Sequence, residues 1–501
     1  MTGTGTAVAA GNLIAGAQSP PRGGRTFESR NPAHTQDVVG VFPRSDAADV
    51  DDAVRAAQAA AAGWRSTPWP ARGEVIQRAA MVLRERKEEL ARLMTREMGK
   101  VLIEARGDVQ EAIDMGTFIS GEGRRAFGET VPSEMPHKWA MTMRQPFGVV
   151  GCITPWNFPV AIPSWKVFPA LMAGNSVVLK PAEDSPLCAL RFAEVLEEAG
   201  LPPGVLNVVF GFGEEAGAAL VRQPDVKAIY FTGSVATGRL VAETCGRLLK
   251  KCSLELGGKN AIVVLRDADI DLAVEGALWG AFGTAGQRCT ATSRLIVEEP
   301  ARQRFTEQLL ERTAALRIGD GLDADVDVGP VINETQLRRV HEYTEVGRAE
   351  GARCAIGGEI AREGRLADGW FYSPTVFTGV RPQMRIAQEE IFGPTTAVIA
   401  VGSLDEALDA ANSTRYGLSL SVYTNDLRQA FRAIEELHSG IVYVNAPTSG
   451  AEIQLPFGGT KDTGNGHREA GGRVLDEFSE WKSIYIDHSG RLQRAQIDTS
   501  R

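Results

Sequence analysis

No apolar run in this 501-residue chain is long enough to span a bilayer, so no membrane partner is expected. There is no basic excess either. Lysine and arginine number 54 against 63 aspartates and glutamates, and the net charge of −9 disfavours nucleic acid or an anionic surface as the main partner. The six cysteines (Cys152, Cys188, Cys245, Cys252, Cys289 and Cys354) include no C-x-x-C pair. Scattered thiols in a long chain indicate reduced cysteines, most of them buried as small hydrophobes, and a cytoplasmic setting. The histidines are isolated, without a second ligand at helical spacing, so no metal site is expected. His341, His438 and His488 read as surface or interface residues. Residues 1–24 are rich in Gly, Ala and Thr and carry no charge before Arg22. They lack the basic start and apolar core of a secretory signal and read as a frayed leader. There is no repeat and no low-complexity linker.

What is present is an ordinary globular composition, 43% hydrophobic and 23% charged, at a length that implies at least two domains. Residues 49–64 read as a helix and 70–100 as a longer amphipathic helical stretch. From about residue 147 the pattern changes to apolar runs of strand length at 149–153, 176–179, 206–210, 228–231 and 261–265, with helical segments between them. The clearest helix is 185–200, with Ser185 as N-cap, Pro186 in the first turn and Gly200 as the stop. The alternation resumes with a helix from Asp269, strand 293–297, a helix from Pro300 and strands 396–401 and 418–423. Strands alternating with helices predict α/β units built on parallel, doubly wound sheets, which bind ligands at the carboxyl ends of their strands.

Several loops carry candidate chemistry. Gly211, Gly213 and Gly217, and again Gly233, Ser234 and Gly238, follow strands and open helices. They fit either a backbone that approaches a pyrophosphate or a tight strand-to-helix turn. Lys180 and Glu183, at a strand end, fit ribose hydroxyls or a solvated loop. Cys289 lies among small residues and glycines, and a catalytic thiol needs a thiolate and a base. Glu255, in an apolar, glycine-rich stretch, would have its pKa raised by burial toward a value useful to a general base. A core cysteine and a helix-capping glutamate are the plainer readings of the same two residues.

Seven motifs in order resemble the aldehyde dehydrogenase superfamily over residues 26–485: Pro155-Trp156-Asn157-Phe158-Pro159, Lys180-Pro181-x-Glu183, Phe231-Thr232-Gly233-Ser234, Leu254-Glu255-Leu256-Gly257-Gly258-Lys259, Gly286-Gln287-x-Cys289, Glu390-Ile391-Phe392-Gly393-Pro394 and Pro456-Phe457-Gly458-Gly459. The resemblance implies that Cys289 attacks the aldehyde carbon, and that Asn157 and the Cys289 amide form an oxyanion hole. Hydride then passes to NAD (or NADP), and Glu255 activates the water that hydrolyses the thioester. It implies cofactor contacts at Pro155, Trp156, Lys180, Glu183, Gly213, Gly233, Ser234, Leu256, Glu390 and Phe392. Lys166 and Glu469 would belong to a proton path, although Gly466-His467-Arg468-Glu469 carries one residue more than the family pattern, which shifts the expected place of Glu469. Phe158, Trp165, Thr290 and Phe457 would line the substrate tunnel.

The implied architecture is a Rossmann-like cofactor domain (1–130 and 148–258), an α/β catalytic domain (259–478) and a small β oligomerisation unit (131–147 and 479–501) in a homodimer or homotetramer. The aromatic lining suits a hydrophobic aldehyde. Arg288 would instead pair with the carboxylate of a semialdehyde: α-ketoglutaric, succinic or, from residues 447–452 with Gln110 and Glu111, α-aminoadipic. A coenzyme-A-acylating enzyme is disfavoured by Glu255, and a non-catalytic structural protein by the retention of Cys289, Glu255 and Asn157.

Overall fold

Two seven-stranded sheets carry the chain among the residues that the computed structural model describes, 6–126 and 128–498. The first sheet runs, edge to edge, Lys251–Glu255, Val226–Thr232, Val149–Thr154, Ser176–Pro181, Leu206–Val208, Asn12–Ile14 and Ala17–Ser19. Its first five strands are parallel. Val149–Thr154 and Ser176–Pro181 are buried at every position, which is why they read as continuous apolar runs and not as alternation. The strand order reverses between Val149–Thr154 and Val226–Thr232. In such sheets the crevice beyond the carboxyl ends at that point is where ligands bind. The loops that leave these two strands are Pro155-Trp156-Asn157 and Gly233-Ser234.

The second sheet runs Arg353–Ile356, Thr375–Thr378, Thr395–Val401, Thr292–Glu298, Asn260–Val264, Ser419–Tyr423 and Ile441–Val444, parallel except at its first pair. A third, antiparallel sheet joins Ser479–Asp487, Lys138–Pro146 and Thr130–Pro132, with nine residue pairs in register from Ser479 with Pro146 to Asp487 with Lys138. No helix among the described residues is long and apolar enough to cross a membrane.

Four expectations change. Residues 1–5 of the leader lie outside the described residues, and the rest of it is not frayed. Val8–Ala9 pairs with His34–Pro43, and Asn12–Ile14 and Ala17–Ser19 extend the first sheet. The buried Asn12 holds them there, its side chain bonding Ser45 Oγ at 2.9 Å and accepting from the Phe210 amide at 3.0 Å. The stretch 70–100 is two helices, Trp69–Glu85 and Lys87–Met98, broken at Arg86, whose ψ of 10° leaves the helical range. Ser185 stands at the N-cap of Pro186–Glu198 but makes no capping bond. The distant carboxylate of Glu97 takes that place, accepting from the Leu187 and Cys188 amides at 2.8 Å each, where a negative charge also complements the helix dipole. Finally, only Cys152, Cys188 and Cys245 are buried. The other three thiols are half-buried, and all six are free.

Candidate active site

Cys289 ends the loop that follows helix Ile270–Phe282 and precedes strand Thr292–Glu298. The loop is tightly bent. Thr284 and Ala285 both adopt left-handed φ values, 53° and 52°. Asn260, at the start of its strand, anchors the far end, its Nδ2 donating to the carbonyls of Cys289 at 2.7 Å and Ala291 at 3.0 Å. Asn157 reaches the same loop from the first sheet, and its Nδ2 donates to the Gln287 carbonyl at 2.9 Å. An amide nitrogen carries two hydrogens, so one remains available on the Cys289 loop. The site therefore lies where carboxyl ends of the first sheet meet amino ends of the second.

Glu255 is the last residue of Lys251–Glu255 and is 3% exposed, with neither carboxylate oxygen hydrogen-bonded within the chain. Burial pushes its pKa well above the usual carboxylate range. Glu469 adds to the shift, and Lys166 and Arg468 oppose it. Burial also pushes the Cys289 thiol up to about 12, reinforced by Glu255 and Glu390. At rest the thiol is therefore neutral. Glycines make the approach feasible. A Cβ on Gly458 would lie 2.5 Å from Glu255 Oε1, and one on Gly258 would lie 2.5 Å from the Cys289 carbonyl.

Lys166 and Glu469 do meet, as a buried ion pair whose charges both act on Glu255. The extra residue in 466–469 does not displace Glu469, because its backbone is clamped in a two-bond bridge with Phe457 (2.7 and 2.8 Å). Trp165 and Phe457 pack edge to face at 5.1 Å, and the Thr290 hydroxyl bonds that of Ser449 at 3.1 Å.

The cofactor candidates from Pro155 to Leu256 lie at or just beyond carboxyl ends of strands in the first sheet, and Glu390 and Phe392 precede a strand of the second. Lys180 Nζ and Glu183 Oε2 stand 3.0 Å apart at the end of Ser176–Pro181. Ser234 caps the thirteen-residue helix Val235–Arg247, accepting from the Thr237 amide at 3.2 Å. Leu256 is buried, its amide on the Thr463 carbonyl and its side chain against Gly238, where a Cβ would come within 2.5 Å. Trp156, next to Pro155, and Phe392 meet edge to face at 5.5 Å. Glu390 accepts from the Gly258 amide at 3.0 Å, which ties it to the glycine pair beside Cys289.

Gly213 is exposed and opens a short helical turn ahead of Ala218–Arg222, while Gly233 stands one residue before the N-cap of Val235–Arg247. One assignment is corrected. Arg288 is not a free cation for a substrate carboxylate. It is buried, with Nη2 on Glu104 Oε1 and Nε on Thr284 Oγ1, both at 3.0 Å, and its guanidinium lies over the Trp279 ring at 4.6 Å. Sequence reasoning missed Asn260, Glu104, Asp108 and Lys100. The four-residue spacing sets Glu104 and Asp108 on one face of a helix with Lys100 just ahead of it, but does not show that this face is buried.

A thiol, an amide donor and an unpartnered carboxylate, gathered beside a dinucleotide-type sheet, suit covalent chemistry on a carbonyl carbon coupled to hydride transfer. Comparison with known proteins makes the class specific. The family model described as the aldehyde dehydrogenase family matches residues 20–484, and the chain belongs to that family of NAD(P)-dependent oxidoreductases. It is 42% identical over 475 residues to an α-ketoglutaric semialdehyde dehydrogenase of Bacillus subtilis (strain 168), covering 95% of this chain and 97% of the relative. Among solved structures, an NAD-dependent aldehyde dehydrogenase from Sinorhizobium meliloti superposes with a TM-score of 0.95 at 37% identity, covering 99% of this chain and 98% of that one. A betaine aldehyde dehydrogenase from Staphylococcus aureus in complex with NAD+ gives 0.94 at 34% identity, covering 97% and 96%.

Proposed function

We propose that Cys289, Asn157 and Glu255 oxidise an aldehyde to its carboxylic acid with NAD. The observation that carries this reading is the buried Glu255 carboxyl, bare of partners and three residues from Gly258, where a Cβ would lie 2.5 Å from the Cys289 carbonyl. The Cys289 thiol passes its proton to solvent water and its sulfur bonds the carbonyl carbon. The resulting oxyanion accepts hydrogen bonds from the Asn157 amide and the Cys289 backbone N–H. NAD, when bound, supplies the hydride acceptor. Collapse of the oxyanion with loss of hydride leaves a thioester on Cys289. Glu255 then takes a proton from water as the water oxygen attacks that thioester, releasing the acid and restoring the thiol. Lys166 and Glu469, the buried ion pair whose charges act on Glu255, would relay its proton.

For the cofactor, Lys180 and Glu183 would hold the adenosine ribose and the Ser234 helix the pyrophosphate. Trp156, Glu390 and Phe392 would set the nicotinamide end. We divide the chain into a cofactor domain (1–130 and 148–258), a catalytic domain (259–478) and an assembly unit (131–147 and 479–501), a reading supported by the two seven-stranded sheets and the antiparallel sheet of Ser479–Asp487. The assembly unit exposes Trp139, Met143, Trp481, Tyr485 and Ile486, an apolar face that suits a homodimer or homotetramer. Six free thiols suit the cytoplasm.

The substrate class we favour is an ω-carboxylated semialdehyde, supported by the likeness to the Bacillus enzyme. A second reading, an uncharged hydrophobic aldehyde, is favoured by the Trp165–Phe457 pair and by the engagement of Arg288 with Glu104. The test is kcat/KM for α-ketoglutaric semialdehyde, hexanal and benzaldehyde with each cofactor, and product analysis with and without coenzyme A. A tenfold or greater preference for the semialdehyde, with free acid as product, supports the first reading. Preference for hexanal supports the second. Absence of aldehyde-dependent NAD reduction would refute catalysis by this site.

A further inference from the structure

Helix Leu102–Gly121 carries charge where a helix packed into a core should not. Lys100, just ahead of it, and Glu104 and Asp108 within it are spaced by four residues, and all three are buried. Each carboxylate holds one of the two loops that meet at the thiol. Asp108 Oδ1 accepts from the Ala161 amide at 2.7 Å, four residues beyond Asn157. Its other oxygen pairs with Lys100 Nζ at 2.8 Å, and that ammonium lies 3.8 Å from the centroid of the Phe158 ring. Glu104 accepts from the Thr284 amide through both oxygens, at 2.9 and 3.0 Å, and from Arg288 Nη2 at 3.0 Å, one residue before Cys289. Gly283 fits the same contact, since a Cβ there would lie 3.0 Å from Glu104 Oε1.

Buried ion pairs of this kind are weak sources of stability, and well-packed apolar residues often do as well. Their bonds here run to the backbone of the two reacting loops. We propose that Asp108 and Glu104 are positioning residues. From a single helix they set the Asn157 amide and the Cys289 sulfur at the separation an oxyanion site requires, with Lys100 and Arg288 as their fixed counter-charges. The proposal rests on the roles given above to Asn157 and Cys289. A helix is a stiff ruler, and one turn of it spans both carboxylates.

The test keeps buried charge out of the comparison. Lys100→Met/Asp108→Leu removes both charges and the acceptor for the Ala161 amide. Lys100→Met/Asp108→Asn removes the charges and keeps the acceptor. The first should lose about tenfold to a hundredfold in kcat for aldehyde oxidation and for p-nitrophenyl acetate hydrolysis, both of which pass through an oxyanion. It should alkylate with iodoacetamide, which makes no oxyanion, within about twofold of the parent rate. The asparagine variant should stay within about threefold of the parent on every measure. Should leucine not fold, Lys100→Met/Asp108→Val gives the same comparison. The decisive arm repeats the leucine change in an Asn157→Ala background, where it should cost less than about twofold, because residues that act through one another do not add. For Glu104, Arg288→Met/Glu104→Leu should slow alkylation as well as oxidation, since that loop carries the sulfur, and Arg288→Met/Glu104→Gln should restore both. Equal losses with Asn157 present and absent, or equal losses for leucine and asparagine at 108, would overturn the proposal. If Asn157→Ala alone turns over at the parental rate, the oxyanion assignment beneath it fails first.

Discussion

Replacing Glu255 by Gln changes the charge and basicity of one buried group and almost nothing of its shape. Neither carboxylate oxygen has a partner, so no hydrogen bond within the chain is lost. Three consequences follow. Hydride transfer should still occur once per site, because the thiol and the Asn157 amide remain. The substitution also removes a negative neighbour that raises the Cys289 pKa. Hydrolysis should then stall, since a positioned base contributes about 10²–10⁴ in rate, or ~2.7–5.5 kcal/mol of barrier. Rapid mixing should show a burst of about one NADH per site followed by slow turnover, with an acyl adduct on Cys289 by mass spectrometry. The third consequence is thermodynamic. The folded-state pKa of Glu255 is raised, so between the unfolded value of about 4.3 and the folded value the folded chain binds the extra proton. Stability is therefore lost as pH rises through that window, by up to about 1.4 kcal/mol per unit, and Glu255→Gln is spared the loss. The variant should gain in thermal midpoint over the parent at about pH 7.5 and show little gain near pH 4.5. A slow first turnover without a burst would move Glu255 to the thiol-activation step. Parental turnover would remove it from the mechanism, and a stability difference independent of pH would contradict its burial as the cause of the shift.

Cys289→Ala should abolish oxidation while NAD titration changes by less than about threefold, because the cofactor contacts lie on other residues. Glu183→Ser should raise the NADP/NAD ratio of kcat/KM, since Lys180, 3.0 Å away, is left to meet a 2′-phosphate without a competing carboxylate; an unchanged ratio would refute the ribose assignment. Arg288→Leu should lower kcat/KM for hexanal and for a semialdehyde acid by similar factors and destabilise the fold by about 3–5 kcal/mol, because it strands Glu104 in a buried site. A loss confined to the acid would restore Arg288 as a substrate contact.

Much of the site was legible because its chemistry sits in loops whose glycines are forced. Gly257 and Gly258 are small because Glu390 and the Cys289 carbonyl press on them, and that pressure leaves a visible signature in Leu254-Glu255-Leu256-Gly257-Gly258. The parallel strands were legible because burial on both faces makes an unbroken apolar run. The Lys100–Glu104–Asp108 series was not, since charges on a helix ordinarily mark its solvent face and burial leaves no mark on residue type. Arg288 was misread for the same reason: its partner is 184 residues away. The Glu97 cap escaped because a helix terminus is usually capped by its own neighbour.

The edge of the cofactor sheet has a practical consequence for how the protein is made. The family match begins at residue 20, and a shortened form starting there would look safe by similarity alone. It would lack Asn12, leaving the Phe210 amide without its acceptor, and would strip Leu206–Val208 of the antiparallel neighbour that covers it. A bare strand edge beside a parallel sheet is a template for pairing with another chain. The trimmed protein should therefore come out of expression as aggregate, and size-exclusion chromatography of the two forms side by side would show whether those few residues act as the seal on that edge.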